Sequence, residues 1–270
     1  MSLLRPFMAA AASGGRAFSP LSLSPTAYLR AAALDTLFQE VAGETAVSEA
    51  EDTVGAWNDL SANGFDLTAA ADDATRPLWH PDGGAGGASP YVLLDGTDDY
   101  LFRAASIGAY AAGASSWFVA VRGNPAVIRR LAAEGSSASD NPIYDLLQAR
   151  QTTASTGSVF IQNDAASTIV NDDEDVQLNA FDNTDNVYGV VDDGSSITGY
   201  LDGVASEPIS YTRSGTLTLN RFAVGALLRA SPALFFAGRV YALVIVNRVL
   251  TADEIANLTT SLGAEMGRVL

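Results

Sequence analysis

The stretch Gly238-Arg-Val-Tyr-Ala-Leu-Val-Ile-Val-Asn-Arg-Val-Leu-Thr-Ala-Asp-Glu-Ile255 constrains the fold more than any other part of the chain. In extended structure successive side chains point to opposite faces. Val240, Ala242, Val244 and Val246 are therefore expected on one face, and Tyr241, Leu243 and Ile245 on the other. Both sets are apolar, and a strand of that kind needs cover on two sides, inside a layered sheet structure. It runs directly into a helix signal. Thr251 is placed as N-cap with Glu254 three residues on, Leu250 and Ile255 form a hydrophobic staple, and Ile255, Leu258, Leu262 and Met266 share a face. Gly267 offers a left-handed stop, so the spacing predicts a helix over 252–266, apolar face down.

Upstream, short apolar segments alternate with turn signals. Val54–Trp57, Phe65–Leu67, Tyr91–Leu94, Trp117–Val121, Ser158–Ile161, Val187–Val191 and a segment starting at Phe222 read as strands. Asp202-Gly203 between Ile197–Leu201 and Val204 is a two-residue hairpin signal. Ser24-Pro25 predicts a helical turn near Thr26–Leu29, and residues 81–90 read as a glycine-rich loop. Many short strands of this kind argue for an all-β sandwich. Residues 1–24 are apolar without periodicity and read as an N-terminal arm; residues 25–270 read as the sandwich domain with its C-terminal helix. Pro6 and the alanine-rich composition argue against a secretory signal in the arm.

The chain carries 31 acidic and 15 basic residues, a formal net charge of -16, and every basic residue is arginine. Such a field repels phosphate backbones, so nucleic acid is not an expected partner. The missing lysine removes P-loop and Schiff-base chemistry, and the missing cysteine removes thiolate sites and thiol catalysis. No apolar run approaches the roughly 18 residues of a membrane span, so no membrane partner is expected.

Three segments together resemble the concanavalin A-like (laminin-G-like) jelly roll: Leu94-Asp-Gly-Thr-Asp-Asp-Tyr-Leu101, Tyr200-Leu-Asp-Gly203, and the strand and helix of Gly238–Ile255. Leu23-Ser-Pro-Thr-Ala-Tyr-Leu29, Val54–Gly64 and Thr75-Arg-Pro77 are similar to the version of this domain found in structural proteins of tailed phages. The resemblance implies a jelly-roll sandwich with an N-terminal arm and a short C-terminal helix. It further implies a non-catalytic virion protein, assembled in the bacterial cytoplasm and present in many copies or as a homo-oligomer. It would decorate capsid or tail, docked on other virion proteins through residues 1–24, with host-surface polysaccharide as a candidate ligand. A glucan-acting glycoside hydrolase and a free bacterial lectin or adhesin are the alternatives, because fold does not settle activity.

No residue is assigned a catalytic, ligand-binding or metal role, but several are candidates. His80, the one histidine, lies beside the glycine-rich segment and reads as a loop residue rather than the centre of a triad. Gly194-Ser-Ser-Ile-Thr-Gly199 is out of register with a nucleophile elbow and reads as a turn. Hydrolases resembling this fold carry Glu-x-Asp-x-x-Glu, and the nearest acidic run, Asn171–Asp175, reads as solvated loop charge. Calcium is an unplaced candidate cofactor. The aspartates Asp95, Asp98 and Asp99, Asp172, Asp173 and Asp175, and Asp192 and Asp193 could each offer oxygens, while a turn entering a strand is expected at Asp95–Asp99. For sugar stacking, Trp57, Trp79, Tyr100, Tyr110 and Trp117 are available. Trp117 reads as core, and Trp79 is the one whose exposure matters.

Overall fold

Two-sided cover is what the strand Ala237–Val246 receives: a second sheet on one face and a helix on the other. The computed structural model describes residues 18–70, 75–123, 128–150, 155–171, 175–177 and 179–270. In chain order the strands begin with β1 (Ala27–Arg30), β2 (Leu37–Phe38), β3 (Ala56–Trp57), β4 (Leu67–Ala69), β5 (Leu78–Gly83), β6 (Ser89–Asp95) and β7 (Leu101–Arg103). Next come β8 (Ser115–Gly123), β9 (Arg129–Gly135), β10 (Ile143–Arg150), β11 (Thr156–Gln162), β12 (Thr168–Val170), β13 (Asp175–Gln177) and β14 (Asn186–Asp192). The last third adds β15 (Ser196–Leu201), β16 (Val204–Ala205), β17 (Ile209–Ser210), β18 (Arg221–Val224), β19 (Leu227–Leu228), β20 (Pro232–Ala233) and β21 (Ala237–Val246), then helix α1 (Ala252–Glu265).

One antiparallel sheet runs β16-β15-β14-β8-β21-β6-β5, with β1 on β21 and β17 on β15. The other runs β12-β11-β10-β9-β18-β7-β4-β3-β2, with β13 on β11. The chain is an all-β sandwich with one short C-terminal helix. Its central core includes Trp57, Trp117, Tyr144 and Phe222. Trp117 meets Tyr144 and Phe222 edge-on, at 5.9 and 5.7 Å between ring centroids, contacts worth about 0.5–1.5 kcal/mol each beyond the area they bury. The opposite face of the first sheet carries Phe118, Ala120, Tyr241, Val244 and Val246 beneath Ile255, Leu258, Leu262 and Met266 of α1.

Strict alternation along β21 fails at one point. The ladder to β8 pairs Val240 with Val121 and Ala242 with Ala120, so Tyr241 is an inserted residue, a β-bulge. Val240 therefore joins Leu243 and Ile245 in the central core, and Tyr241 joins Ala242, Val244 and Val246 beneath the helix. The helix matches its signal. Thr251 Oγ1 accepts from the Glu254 amide while the Glu254 carboxylate accepts from the Thr251 amide, and Gly267 is left-handed at φ 67°. The Asp202-Gly203 hairpin is also present, pairing Tyr200 with Ala205 and Leu201 with Val204.

The helical turn expected at Thr26–Leu29 is replaced by strand β1. The short 3₁₀ turn lies earlier, at Pro20–Leu23, and Ser24 redirects the chain with φ 52°. The cause is an open edge. β6 pairs only with Ala237–Val240 of β21, leaving Ala242–Ile245 for Ala27–Arg30, and ladder bonds there outweigh a local turn preference. Of the arm expected over residues 1–24, residues 1–17 lie outside the described residues. Leu23 is buried in the layer beneath the helix. The glycine-rich loop is shorter than expected, since β5 continues through Gly83 and β6 begins at Ser89. Among the described residues no helix is long and apolar enough to cross a membrane.

One end of the sandwich is fastened by a fully buried carboxylate. Asp192 accepts from the hydroxyls of Tyr144 (2.7 Å) and Tyr211 (2.7 Å), from Arg213 Nη2 (2.8 Å) and from the Gly194 amide (2.8 Å). Tyr144 sits in the second sheet and Asp192 in the first, so this network ties the two layers together. Removing one partner of such a pair leaves the other charge poorly compensated. Asp192→Asn is expected to cost about 3 kcal/mol, read as a lowered urea midpoint at unchanged m-value.

Candidate functional site

The structure disperses most of the sequence candidates. His80 is in strand β5, not in a loop: its ring stacks on Tyr91, its cross-strand partner, at 5.1 Å and 8°. Trp79 is buried, with Nε1 donating to the Ala31 carbonyl at 3.0 Å. Trp57 and Trp117 are fully buried, Tyr100 is buried, and Tyr110 lies half-buried under the Arg213 guanidinium at 4.3 Å. No tryptophan offers a face to a sugar. The segment from Gly194 is the turn into β15, where Asp193 accepts from the amides and hydroxyls of Ser195 and Ser196.

Of the aspartate groups, Asp192 and Asp193 separate. Asp192 is buried while Asp193 faces solvent, Asp175 is exposed and accepts from Thr156, and Asp172 and Asp173 lie outside the described residues. Asp95, Asp98 and Asp99 bring carboxylate oxygens within 4.8 Å of one another. They form the expected turn: Asp95 accepts from the Thr97 amide (2.7 Å), and Asp99 from the Asp95 amide (2.9 Å). Burial pushes the Asp99 carboxyl up to about 6, against the pull of that amide.

Two polar groupings escaped the sequence reading. In β9 and β10, Arg130 pairs with Asp145 at 2.7 Å, both almost fully buried. Gln148 sits opposite Arg130 on one side and Ser158 on the other. Among the described residues, Arg130 Nε, both polar atoms of Gln148 and Ser158 Oγ have no hydrogen-bond partner. Asp145-Leu-Leu-Gln148, with a bulge in its ladder, matches the last four positions of Glu-x-Asp-x-x-Glu except that glutamine replaces the closing glutamate and Ile143 replaces the first. That strand thus supplies one carboxylate tied to an arginine, not the two carboxyls a retaining hydrolase uses. The signal was two isolated polar residues, Asp145 and Gln148, in a strand otherwise apolar as far as Ala149. Nearby, Glu134 is buried, accepting from Ser106 Oγ and from the Ile107 amide (2.8 Å). Burial lifts its carboxyl to about 7, even though these hydrogen bonds pull the other way.

A solvent-accessible grouping lies just past the end of α1. The helix covers β21 from Tyr241 to Val246 and leaves Ala237–Arg239 open. There Leu93, Arg239 and Arg122 stand in one cross-strand row over β6, β21 and β8. With Gly123, Asn183, Ala237 and Gly238 they line a shallow depression of about 180 Å³. Gly238 is required by close approach, because a Cβ there would lie 2.3 Å from the Arg122 carbonyl oxygen. The Arg239 guanidinium lies over the Tyr91 ring at 4.6 Å, and Tyr91 packs on Tyr241 at 5.7 Å. Tyr241 in turn donates to Asp185 Oδ1 at 2.8 Å. Arg122 Nε donates to Asn183 Oδ1 at 3.3 Å, which turns the Asn183 NH₂ away from that contact.

No protein-family profile and no curated protein matches the chain. Among solved structures it is similar to a Trypanosoma rangeli sialidase in complex with sialic acid, with 15% identity, a TM-score of 0.48, and coverage of 90% of this chain and 33% of that one. It is also similar to the K499G mutant of NanB sialidase from Streptococcus pneumoniae, with 12% identity, a TM-score of 0.46, and coverage of 62% and 27%. A leech intramolecular trans-sialidase gives 13% identity, a TM-score of 0.44, and coverage of 57% and 24%. The chain spans about a third or less of these proteins. The expectation of a non-catalytic virion protein is corrected here: the similar structures are sialidases and a trans-sialidase, and give phage assembly no support. The resemblance behind that expectation rested on turn and strand motifs, which report a sandwich scaffold and not its use.

Two outcomes check the buried groups. Glu134 binds its proton more tightly folded than unfolded, so its contribution makes stability fall as pH rises from about 4.5 to about 7 and stay level above. Glu134→Gln is expected to flatten that part of the melting-temperature profile. Gln148→Met removes an unpartnered buried amide at similar volume and is expected to leave the chemical-denaturation midpoint unchanged or raised.

Proposed function

We propose that the chain is a glycan-recognising β-sandwich of the concanavalin A-like kind, and that the depression past the end of α1 receives the sugar. The observation that supports this is a patch of sheet left open by the helix, where Arg122, Arg239 and the Asn183 amide converge. Ligand sites are concave and carry a few convergent polar groups. At about 180 Å³ this one is below the roughly 300–1,000 Å³ of drug-sized pockets, a scale that suits one ring of a longer saccharide. Sugar hydroxyls are acceptors for guanidinium and amide donors.

The test is a panel of sialylated, uronate-bearing and neutral glycans presented to the folded chain, with release of reducing sugar followed in parallel. Binding to a subset of glycans, lost in Arg239→Ala at unchanged melting temperature, is expected. No binding to any glycan would overturn the proposal, and cleavage of a bound glycan would extend it from recognition to catalysis.

A further inference from the structure

Resting on that reading, we infer that the recognised sugar carries an anion, a carboxylate or a sulfate ester, gripped between Arg122 and Arg239. Most of the described arginines are matched to carboxylates: Arg30 to Glu265, Arg130 to Asp145, Arg150 to Asp175, Arg213 to Asp192, Arg229 to Asp140, Arg248 to Glu254 and Arg268 to Asp202. Arg76, Arg103, Arg129 and Arg221 donate to backbone carbonyls, whereas Arg122 and Arg239 hold neither a carboxylate nor a backbone carbonyl among the described residues, in a chain whose acidic residues outnumber its basic ones 31 to 15. They are also directly opposite in the ladder of β8 and β21. Like charges facing each other across a strand pair destabilise it, so their placement opposite one another costs stability.

Their surroundings hold the charges ready for a ligand. Arg239 is supported from below by the Tyr91 ring. Burial opposes its charge, but Tyr241, Tyr91 and Asp185 more than offset that and keep its pKa above the ordinary arginine value. Asp185, the acidic group acting on it, is engaged by the Tyr241 hydroxyl and forms no ion pair with either arginine. Arg122 is oriented through Nε by Asn183, which leaves its terminal nitrogens for an anion. A planar guanidinium matches carboxylate and sulfate oxygens in paired hydrogen bonds. The Asn183 NH₂ then serves the ring that carries the anion. At physiological ionic strength a field decays over about 8 Å, so the acidic surface elsewhere does not cancel attraction at contact.

Three oligosaccharides of the same length and backbone decide the matter by calorimetry: one bearing a uronate, one bearing a sulfate ester, and one neutral. Inorganic sulfate serves as the free-anion control. The acidic sugars are expected to bind about 10–100-fold more tightly than the neutral one, the range of one charge-assisted hydrogen-bond group; comparing the uronate and sulfate arms identifies the anion. Arg122→Gln/Arg239→Gln should abolish that preference while the variant still unfolds cooperatively and keeps the circular-dichroism spectrum of the folded chain. Equal binding of neutral and acidic sugars, unchanged in the double variant, would overturn the inference and leave the glycan reading standing. Binding of inorganic sulfate with no saccharide bound would overturn both, since the arginines would then serve a non-sugar anion.

Discussion

The two-sided burial of β21 is the constraint from which the rest of the structure follows. A strand with apolar side chains on both faces needs a layer above and a layer below, and the chain provides them with a sheet and a helix. β8 beside it is built the same way, with Trp117, Val119 and Val121 toward the second sheet and Phe118 and Ala120 toward the helix. The helix can cover only as much of β21 as its own apolar face reaches. Met266, its last apolar contact, lies in the same cluster as Tyr241. What remains beyond Tyr241 is sheet surface without cover, and there the sequence changes from valine and leucine to glycine and arginine.

Polar groups inside the molecule fall into two kinds. Asp192 is fully provided with donors and links the two sheets. Arg130, Gln148 and Ser158 are buried with several polar atoms unpartnered, an arrangement that costs stability and that packing alone does not demand. Arginine performs nearly all the fastening. Arg30 of β1 holds Glu265 at the end of the helix through Nε, while Arg248 on Glu254 and Arg268 on Asp202 make paired guanidinium–carboxylate bonds. The pair Arg122 and Arg239 differs in holding neither a carboxylate nor a backbone carbonyl among the described residues.

Much of the scaffold was legible in the sequence. The capping box at Thr251 and Glu254 and the Asp202-Gly203 hairpin are local devices whose partners lie within a few residues, and the two-sided pattern of β21 needed only counting. The bulge at Tyr241 was not readable, because it arises from the ladder to β8 and leaves no mark in an unbroken apolar run. β1 was misread for a related reason: its conformation is set by an open edge contributed more than two hundred residues later. The site was harder still. His80 and Tyr91 looked like a loop and a strand, and Arg122 and Arg239 become neighbours only once β8 and β21 pair. No spacing within either segment announces the other.

The account joins a two-sided strand to a binding patch at its uncovered end, and backbone amide NMR during titration with an acidic oligosaccharide tests that join most directly. Shifts confined to Leu93, Arg122, Gly123, Asn183, Gly238 and Arg239, with Ala242–Val246 unmoved beneath the helix, are what the account predicts. Shifts centred on β9–β11, or spread along the covered half of β21, would contradict it.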